Sequence, residues 1–310
     1  MTISACAPHA TPAAAYWNQR YNLCANLNRL KSLADGVGHL SDLTYAQWAQ
    51  IFSMTVEYRP DLIIELGRGR GNSTCIFTEV ANLLGGREKC RVVSVCMSSD
   101  YATQTIPSLL SHHLVNREWF HPLECWIDDI LAFDYHKTLG NAKRVLLFWD
   151  AHGFEVASCV LGSILPQIAD RSHLVLMHDM SDQRYLPSGS LDYSGQEIWR
   201  GNNWEGPRLI LGNINSAVEQ AVSIVDFASR NRLELLSADH SYHTELKPFP
   251  EKVAEMQRLL GNELFQLQGH WFCFSLNCLP NRATFPAFIK PLTTLVDSPV
   301  ELISDLGLYY

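Results

Sequence analysis

The chain has 310 residues, of which 47% are hydrophobic and 18% are charged. This is the composition of a globular protein, and the length allows one large α/β domain with additions. The net charge of -8, without a lysine and arginine cluster, argues against nucleic acid as an obligate partner, and no apolar run long enough for a transmembrane helix occurs.

The predicted elements begin with helices. Apolar residues recur at helical spacing in two stretches between residues 15 and 57, WNQRYNLCANLNRLKSL and LTYAQWAQIFSMTVEY. We therefore predict a helical cap over residues 1–57, ahead of the main domain.

After Arg59 and Pro60, short apolar runs alternate with amphipathic stretches. The strand-like runs are LIIEL, RVVSVCM, LECWI, RVLLFWD and HLVLMHD. The helix-like stretches between them are STCIFTEVANLLG, IPSLLSHHLV and FEVASCVLGSILPQIA. Two later runs, RLELLSADH and HWFCFSLN, predict strands that pair antiparallel at one edge. The alternation predicts an α/β fold over residues 58–280, a Rossmann-like, doubly wound, mostly parallel sheet with an antiparallel edge strand and helices on both faces.

Residues 181–208 form an insert rich in glycine, tryptophan, tyrosine and asparagine, without clear periodicity. Long irregular inserts in compact domains are typical of lids or binding loops. We predict a lid in which Trp199 and Trp204 close over a ligand. Residues 281–310 are predicted to form a tail, which together with the N-terminal helices could cover the partner in a homodimer.

The nine cysteines are scattered through apolar segments and form no CxxC pair. This favours reduced intracellular thiols over a disulfide framework. The opening stretch MTISACAPHATPAAAYW has neither the basic region nor the apolar core of a signal peptide. We therefore predict a cytoplasmic protein that does not associate with membranes.

A glycine-rich turn follows the first predicted strand, in DLIIELGRGRGNST. The dinucleotide fingerprint G-x-G-x-x-G requires a last glycine where Asn72 stands, and a Walker loop requires a lysine that is missing. What remains is a backbone that a ligand can approach closely, at the carboxyl edge of a parallel strand. Ser73, at the start of the following helix, adds a capping hydroxyl and a backbone N–H. The alternative is a tight turn that holds no ligand.

The pattern E-x-G-x-G-x-G, together with the strands that follow, resembles the class I S-adenosylmethionine-dependent methyltransferases over roughly residues 60–280. Within that class it is most similar to the metal-assisted natural-product and sugar O-methyltransferases, a group that includes the cephalosporin hydroxylase-like proteins. The resemblance implies that four residues border the methionine moiety of the cofactor, namely Glu65, Gly67, Gly69 and Gly71. It also implies that Asp129, after the third strand, faces the adenine amino group.

The chain departs from this family at the end of the second strand. The family usually has an acidic residue there, which binds both ribose hydroxyls, whereas this chain has Cys96. Asp100, four residues further on, could take that role if the loop folds back.

Acidic residues and histidines follow the fourth and fifth strands. Asp150 and His152 come after RVLLFW, and His178 and Asp179 come after HLVLM. The carboxyl edge of a parallel sheet is its ligand side, and carboxylates with imidazole suit a divalent cation. The resemblance implies a magnesium site at Asp150, His178 and Asp179, in which His178 replaces an acid and shifts the preference towards manganese, iron or zinc. The alternative is a core histidine bonded to the backbone.

His152 could accept a proton from a substrate hydroxyl, because its ordinary pKa lies close to neutral pH. Orienting the Asp150 loop is the alternative role for this side chain.

The leading hypothesis is an S-adenosylmethionine-dependent O-methyltransferase of secondary metabolism, assisted by magnesium or manganese. Its acceptor would be a small hydroxylated or carboxylated molecule. Two alternatives stay open at this point: a metal-dependent oxygenase or hydrolase on the same sheet, and a catalytically silent small-molecule-binding protein.

Overall fold

The structure is a computed structural model that describes residues 9–178, 214–289 and 300–301, with residues 214–219 and 300–301 described by their backbone alone. Its helices are α1 Pro12–Asn18, α2 Arg20–Val37, α3 Tyr45–Tyr58, α4 Asn72–Leu83, α5 Ile106–Ser111, α6 Tyr135–Leu139, α7 Phe154–Cys159, α8 Leu165–Ile168, α9 Ile214–Asn231, α10 Ala238–Glu245 and α11 Pro250–Leu264. Its strands are β1 Leu62–Leu66, β2 Arg91–Cys96, β3 Leu123–Ile127, β4 Arg144–Trp149, β5 Ser172–Met177, β6 Leu236–Ser237, β7 Phe272–Phe274 and β8 Val300–Glu301. The predicted lid, residues 181–208, lies outside the described residues.

The strands form one sheet in the order β6-β7-β5-β4-β1-β2-β3-β8. Strands β1 to β5 are parallel to one another, whereas β7 is antiparallel to both β5 and β6, and β8 is antiparallel to β3. The predicted Rossmann-like sheet with an antiparallel pair at one edge is confirmed. The chain places β2 and β3 on one side of β1 and β4 and β5 on the other, so the strand order reverses between β1 and β4. Ligands of open α/β sheets bind beside the carboxyl ends of the strands at such a reversal.

Two apolar cores cover the two faces of the sheet. On one face Trp48 and Phe52 of α3 share a cluster with Phe77 of α4 and Phe148 of β4. On the other face the side chains of α7, α8 and α9 pack against the opposite side of the same strands, including Trp149. The N-terminal helices predicted as a cap therefore form one layer of the α/β sandwich.

Helix α3 begins with a capping box. Thr44 Oγ1 accepts a hydrogen bond from Gln47 N, and Gln47 Oε1 accepts one from Thr44 N at 2.9 Å. The helix ends at Arg59, whose φ of 52° is left-handed, directly before Pro60. Both ends of the helix that carries Gln47 towards the sheet are thus fixed by local sequence.

The strand predicted in RLELLSADH is wrong over most of its length. Only Leu236 and Ser237 pair with β7, and the chain then turns into α10. Ser237 is the N-cap of this helix, and its Oγ accepts a hydrogen bond from His240 N. A serine cap followed by Asp239 in the first turn favours helix over strand.

The predicted tail packs on its own chain where it is described. Phe285 and Phe288 lie against the α7–α9 core, and a Cβ added at Gly162 would crowd Phe288. Further on, Val300 and Glu301 pair antiparallel with β3 as strand β8. The described helices include none that is long and apolar enough to cross a bilayer.

Candidate functional site

A cavity of about 800 Å³ opens at the carboxyl edge of the sheet, where the strand order reverses. It is walled by the turns after β1, β2, β3 and β4 and by the connection between α2 and α3. Strand β1 pairs with β4 up to Leu66 and Trp149, and Asp150 N donates to Leu66 O at 2.9 Å. The turn after β1 and the turn after β4 therefore face each other across the opening.

The cavity brings together seven of the residues singled out from the sequence: Gly67, Gly69, Cys96, Asp100, Asp129, Asp150 and His152. Four others do not line it: Glu65, Gly71, Ser73 and His178. Asp179 lies outside the described residues.

The three glycines of the turn after β1 serve different purposes. A Cβ at Gly67 would overlap the backbone of Asp150, and one at Gly71 would overlap the Tyr101 ring. These two glycines permit close packing within the protein. Gly69 has a φ of 48°, and a Cβ there would have no atom of the described residues within 4 Å. Gly67 and Gly69 both line the cavity, and of these two Gly69 is the one at which an added Cβ would enter open space.

Glu65 is completely buried, in contrast to the expected position beside the methionine moiety. Its carboxylate accepts hydrogen bonds from Ser73 Oγ at 2.5 Å, from Thr74 Oγ1 at 2.7 Å, and from Ser94 Oγ. Glu65 thus ties the first turn of α4 to β2 from beneath the glycine turn, and it fixes the backbone above without lining the cavity.

The Glu65 network leads to a pH-dependent prediction. Burial raises the pKa of Glu65 from its ordinary 4.5, and the three hydroxyl donors and Arg68 act in the opposite direction. A carboxyl group whose pKa is raised by folding stabilises the fold below its unfolded pKa, and this contribution is lost as the pH rises through the folded pKa. Glu65→Gln keeps the shape and cannot ionise. The free energy of unfolding of the variant minus that of the parent should therefore increase in urea titrations as the pH rises above the unfolded pKa of the carboxyl group. A difference that decreases with pH would show that the fold prefers the carboxylate.

Arg68 is buried beneath the turn after β2. Its guanidinium donates to Ser94 O at 3.0 Å, to Ser98 O at 3.3 Å and to Trp126 O at 3.2 Å. The loop after β2 is thereby held so that Cys96 and Asp100 both line the cavity. Asp100 therefore lies beside the position where the resemblance expects an acid.

The wall after β3 is partly apolar. Asp129 Oδ1 accepts a hydrogen bond from Leu131 N at 2.9 Å, which shapes a turn that presents Ile130 and Leu131 to the cavity. A flat apolar group could lie against these side chains, with the Asp129 carboxylate at its edge.

Asp150 is held by a chain of side chains that the sequence did not reveal. His178 is completely buried, and its Nδ1 lies 3.2 Å from Asp150 Oδ1. Its Nε2 lies 3.1 Å from the side-chain nitrogen of Gln47, which also donates to Gly269 O at 2.9 Å. Both ring nitrogens of His178 are therefore engaged by protein groups.

His152 is oriented by helix α9. Its Nδ1 lies 2.9 Å from Gln220 Oε1, and Gln220 is itself buried. With the Gln220 oxygen facing the ring, Nδ1 carries the proton that it donates to this oxygen, and Nε2 carries the lone pair. This is the tautomer in which Nε2 can accept a proton.

The described residues do not by themselves form the predicted metal centre. A histidine ligand needs a nitrogen lone pair, and both nitrogens of His178 are used in hydrogen bonds. Of the other predicted ligands, Asp150 faces the cavity and Asp179 is not described. Within residues 9–178 and 214–289 no three histidine, cysteine or acidic side chains come together to hold a metal ion.

Sequence reasoning missed Gln47 and Gln220. Each lies on a helix that also buries apolar residues, and a glutamine on such a helix is expected on the face towards solvent. Neither glutamine belongs to a recognisable catalytic or binding motif. His39 and Asp42, in the connection between α2 and α3, also line the cavity. No local pattern predicts that this connection folds over the carboxyl edge of the sheet.

Comparisons with known proteins give only distant likenesses. No family model and no curated protein matches the chain. Among solved structures, it is similar to a putative O-methyltransferase from Klebsiella pneumoniae, with 13% identity and a TM-score of 0.43 over 70% of this chain and 87% of that one. A putative caffeoyl-CoA O-methyltransferase from Staphylococcus aureus has 12% identity and a TM-score of 0.41 over 70% of this chain and 92% of that one.

A methyltransferase from Geobacter sulfurreducens has 16% identity and a TM-score of 0.29, and the alignment spans 43% of this chain and 60% of that one. Identities and TM-scores this low carry no conclusion about activity, which must come from the residues of the chain itself.

Proposed function

We propose that the chain binds S-adenosylmethionine in the cavity and transfers its methyl group to an oxygen of a small hydroxylated or carboxylated molecule. The observation that carries the proposal is the convergence of the open Gly69 backbone, Asp129, Asp150 and His152 on one cavity at the strand reversal. A cavity of this volume is within the usual range for small-molecule sites.

The charge of the cavity favours a cationic ligand. Among the described residues, five acidic residues line it: Asp42, Asp100, Asp129, Asp150 and Glu155. Of the described basic residues, Arg68 and Arg70 also line it, and the Arg68 guanidinium is engaged by the carbonyls of Ser94 and Trp126. S-Adenosylmethionine carries a sulfonium and an ammonium group, which acidic walls attract, whereas a dinucleotide would bring a pyrophosphate into the same negative field.

Different residues of the cavity would contact different parts of S-adenosylmethionine. The Gly69 backbone would lie against the methionine moiety, and Asp129 with Ile130 and Leu131 would hold the adenine. Asp100 lies on the loop after β2, which the hydrogen bonds of Arg68 hold in place, and it would accept hydrogen bonds from the ribose. All these groups belong to the turns after β1, β2 and β3.

The chemistry itself needs alignment and a deprotonated acceptor. S-Adenosylmethionine supplies an electrophilic methyl group, so binding the acceptor in line with it provides much of the catalysis. His152 accepts the acceptor's proton at Nε2, and the Gln220 oxygen at Nδ1 favours the tautomer in which Nε2 carries the lone pair. Asp150, in the same turn, favours the imidazolium that results.

If the protein binds a divalent cation, we propose Asp150 and Asp179 as its ligands. Since the described residues do not form a three-ligand site, no step of the reaction is assigned to a metal.

His152→Ala is expected to reduce turnover and leave the affinity for S-adenosylmethionine unchanged. Activity should recover in part at high pH, where the acceptor ionises without help. Release of S-adenosylhomocysteine, followed against pH with a panel of hydroxylated acceptors, measures this. His39→Ala is the matched comparison, because His39 lines the same cavity. If His39→Ala removes activity while His152→Ala retains it, the base is assigned to the wrong residue.

The function is tested by isothermal titration of the full chain with S-adenosylmethionine, S-adenosylhomocysteine and NAD⁺. We expect the first two to bind and NAD⁺ not to bind. Binding of neither sulfur compound would remove the proposal and leave an oxygenase or hydrolase as the alternative. Binding without turnover on any acceptor would favour a silent binding protein.

A further inference from the structure

A buried hydrogen-bonded chain joins helix α3 to the cavity wall. It runs from Gln47 through His178 to Asp150, with contacts of 3.1 Å and 3.2 Å. His178 has no exposed surface and Gln47 almost none, whereas the Asp150 carboxylate reaches the cavity. These three side chains therefore link helix α3, on one face of the sheet, to a carboxylate at the sheet's carboxyl edge.

The hydrogen bonds of Gln47 determine which nitrogen of His178 carries the proton. Gln47 Oε1 accepts from Thr44 N at 2.9 Å, so the other end of the amide is the NH₂ group. One of its hydrogens goes to Gly269 O, and the other goes to His178 Nε2. Nε2 is thus an acceptor, and the proton on Nδ1 is donated to Asp150 Oδ1.

We propose that His178 is a positioning residue that holds the Asp150 carboxylate at the cavity wall and does not ligate a metal ion. With the Nε2 lone pair accepting from Gln47 and Nδ1 protonated, the imidazole has no lone pair left for a cation. In this proposal the Gln47 amide fixes the orientation of the imidazole ring, which a bound metal ion would do if His178 were a ligand. This concerns the internal geometry of the chain and holds whichever ligand the cavity binds.

A second buried histidine of the protein, His173, serves as a comparison for the tautomer of His178. His173, on the same strand β5, is also completely buried. Its Nδ1 lies 3.0 Å from Arg171 O, and its Nε2 accepts from Leu276 N at 2.8 Å. His173 is therefore held as the same tautomer by backbone groups alone, and it does not line the cavity.

The tautomer is tested by ¹⁵N NMR of the histidine rings in the full chain, with His178 assigned from the spectrum of His178→Asn. We expect His178 and His173 to show the same pattern, with the proton on Nδ1. Gln47→Met removes the amide donors, so it should convert the His178 signals to a mixture of tautomers and leave those of His173 unchanged. Thr44→Ala, which weakens the cap of α3 without removing the Gln47 donors, should leave both unchanged. A His178 proton on Nε2 in the parent would overturn the proposal.

The metal is tested by titrating the parent and His178→Asn with Mn²⁺, followed by electron paramagnetic resonance. We expect no imidazole nitrogen to be coupled to any Mn²⁺ that the parent binds, and His178 to keep its proton on Nδ1 when Mg²⁺ is added. Mn²⁺ coupled to an imidazole nitrogen in the parent and not in His178→Asn would overturn the proposal. Neither experiment involves S-adenosylmethionine, so failure here and failure of the proposed function are separate results.

Discussion

Gly69→Val is expected to lower the affinity for S-adenosylmethionine by roughly 100-fold or more, a loss of about 2.8 kcal/mol in binding free energy. The chain should still fold, because within the part of the chain that the structure describes no atom lies within 4 Å of a Cβ at this position. The branched side chain would instead occupy space at the cavity wall, where the ligand must approach the backbone. Isothermal titration of the variant measures the loss, and thermal unfolding reports whether the fold is retained.

Backbone strain is the other effect of this substitution, and Gly86→Val isolates it. Gly86 also has a left-handed φ, of 73°, and a Cβ there also has nothing within 4 Å. Both substitutions therefore cost about 1–2 kcal/mol of stability from the left-handed conformation. Gly86 lies between α4 and β2, away from the cavity, so Gly86→Val should bind the ligand like the parent. A folded Gly69→Val that binds as tightly as the parent would show that the cofactor lies elsewhere.

Asp150→Asn is expected to lower turnover roughly 100-fold, the scale observed when one preorganised electrostatic group is removed. The amide keeps the shape and can still accept from His178, but it no longer favours a protonated His152. Affinity for S-adenosylmethionine should change little, since the groups proposed to bind it follow β1, β2 and β3. Titration and turnover on the same preparation separate the two effects.

Asp61→Asn is the matched control, because Asp61 precedes β1 at the opposite edge of the sheet. Its two carboxylate oxygens accept from Lys143 N at 2.8 Å and from Arg144 N at 2.9 Å, so it joins β1 to β4 as Asp150 does at the other end. This variant should lose stability without losing turnover. Equal turnover in Asp150→Asn and the parent would remove Asp150 from the chemistry.

Much of the fold could be predicted from the sequence because parallel strands buried on both faces are continuous apolar runs. LIIEL, RVLLFW and HLVLM are examples, and each forms a central strand where it was predicted. The location of the site could also be predicted, because the carboxyl ends of neighbouring parallel strands lie at the same edge of the sheet. Asp129, Asp150 and His152 reach one cavity for that reason.

Local sequence does not give the direction in which a polar side chain points. Glu65 and His178 stand at strand ends like Asp150, yet both point into the protein. Their partners are hydroxyls of α4 and β2 for Glu65, and an amide of α3 for His178. Such pairings depend on how helices pack on the sheet, which residue spacing does not specify. The short strand β6 was overestimated because a serine cap ends it after two residues.

The helices α1 and α3 are hydrogen-bonded to segments more than 200 residues further along the chain, namely α10 and the start of β7. Thr11 Oγ1 donates to Glu245 at 2.6 Å, and Trp271 Nε1 donates to Gln50 Oε1 at 3.1 Å, across sequence separations of 234 and 221 residues. During synthesis at about 5–20 residues per second, a delay of this length lasts roughly 10–50 s. For that interval the apolar surfaces of α1 and α3 leave the ribosome without the α10 and β7 segments that cover them. A nascent chain arrested before residue 235 should therefore recruit chaperones through its N-terminal helices, and the full chain released from the ribosome should no longer bind them.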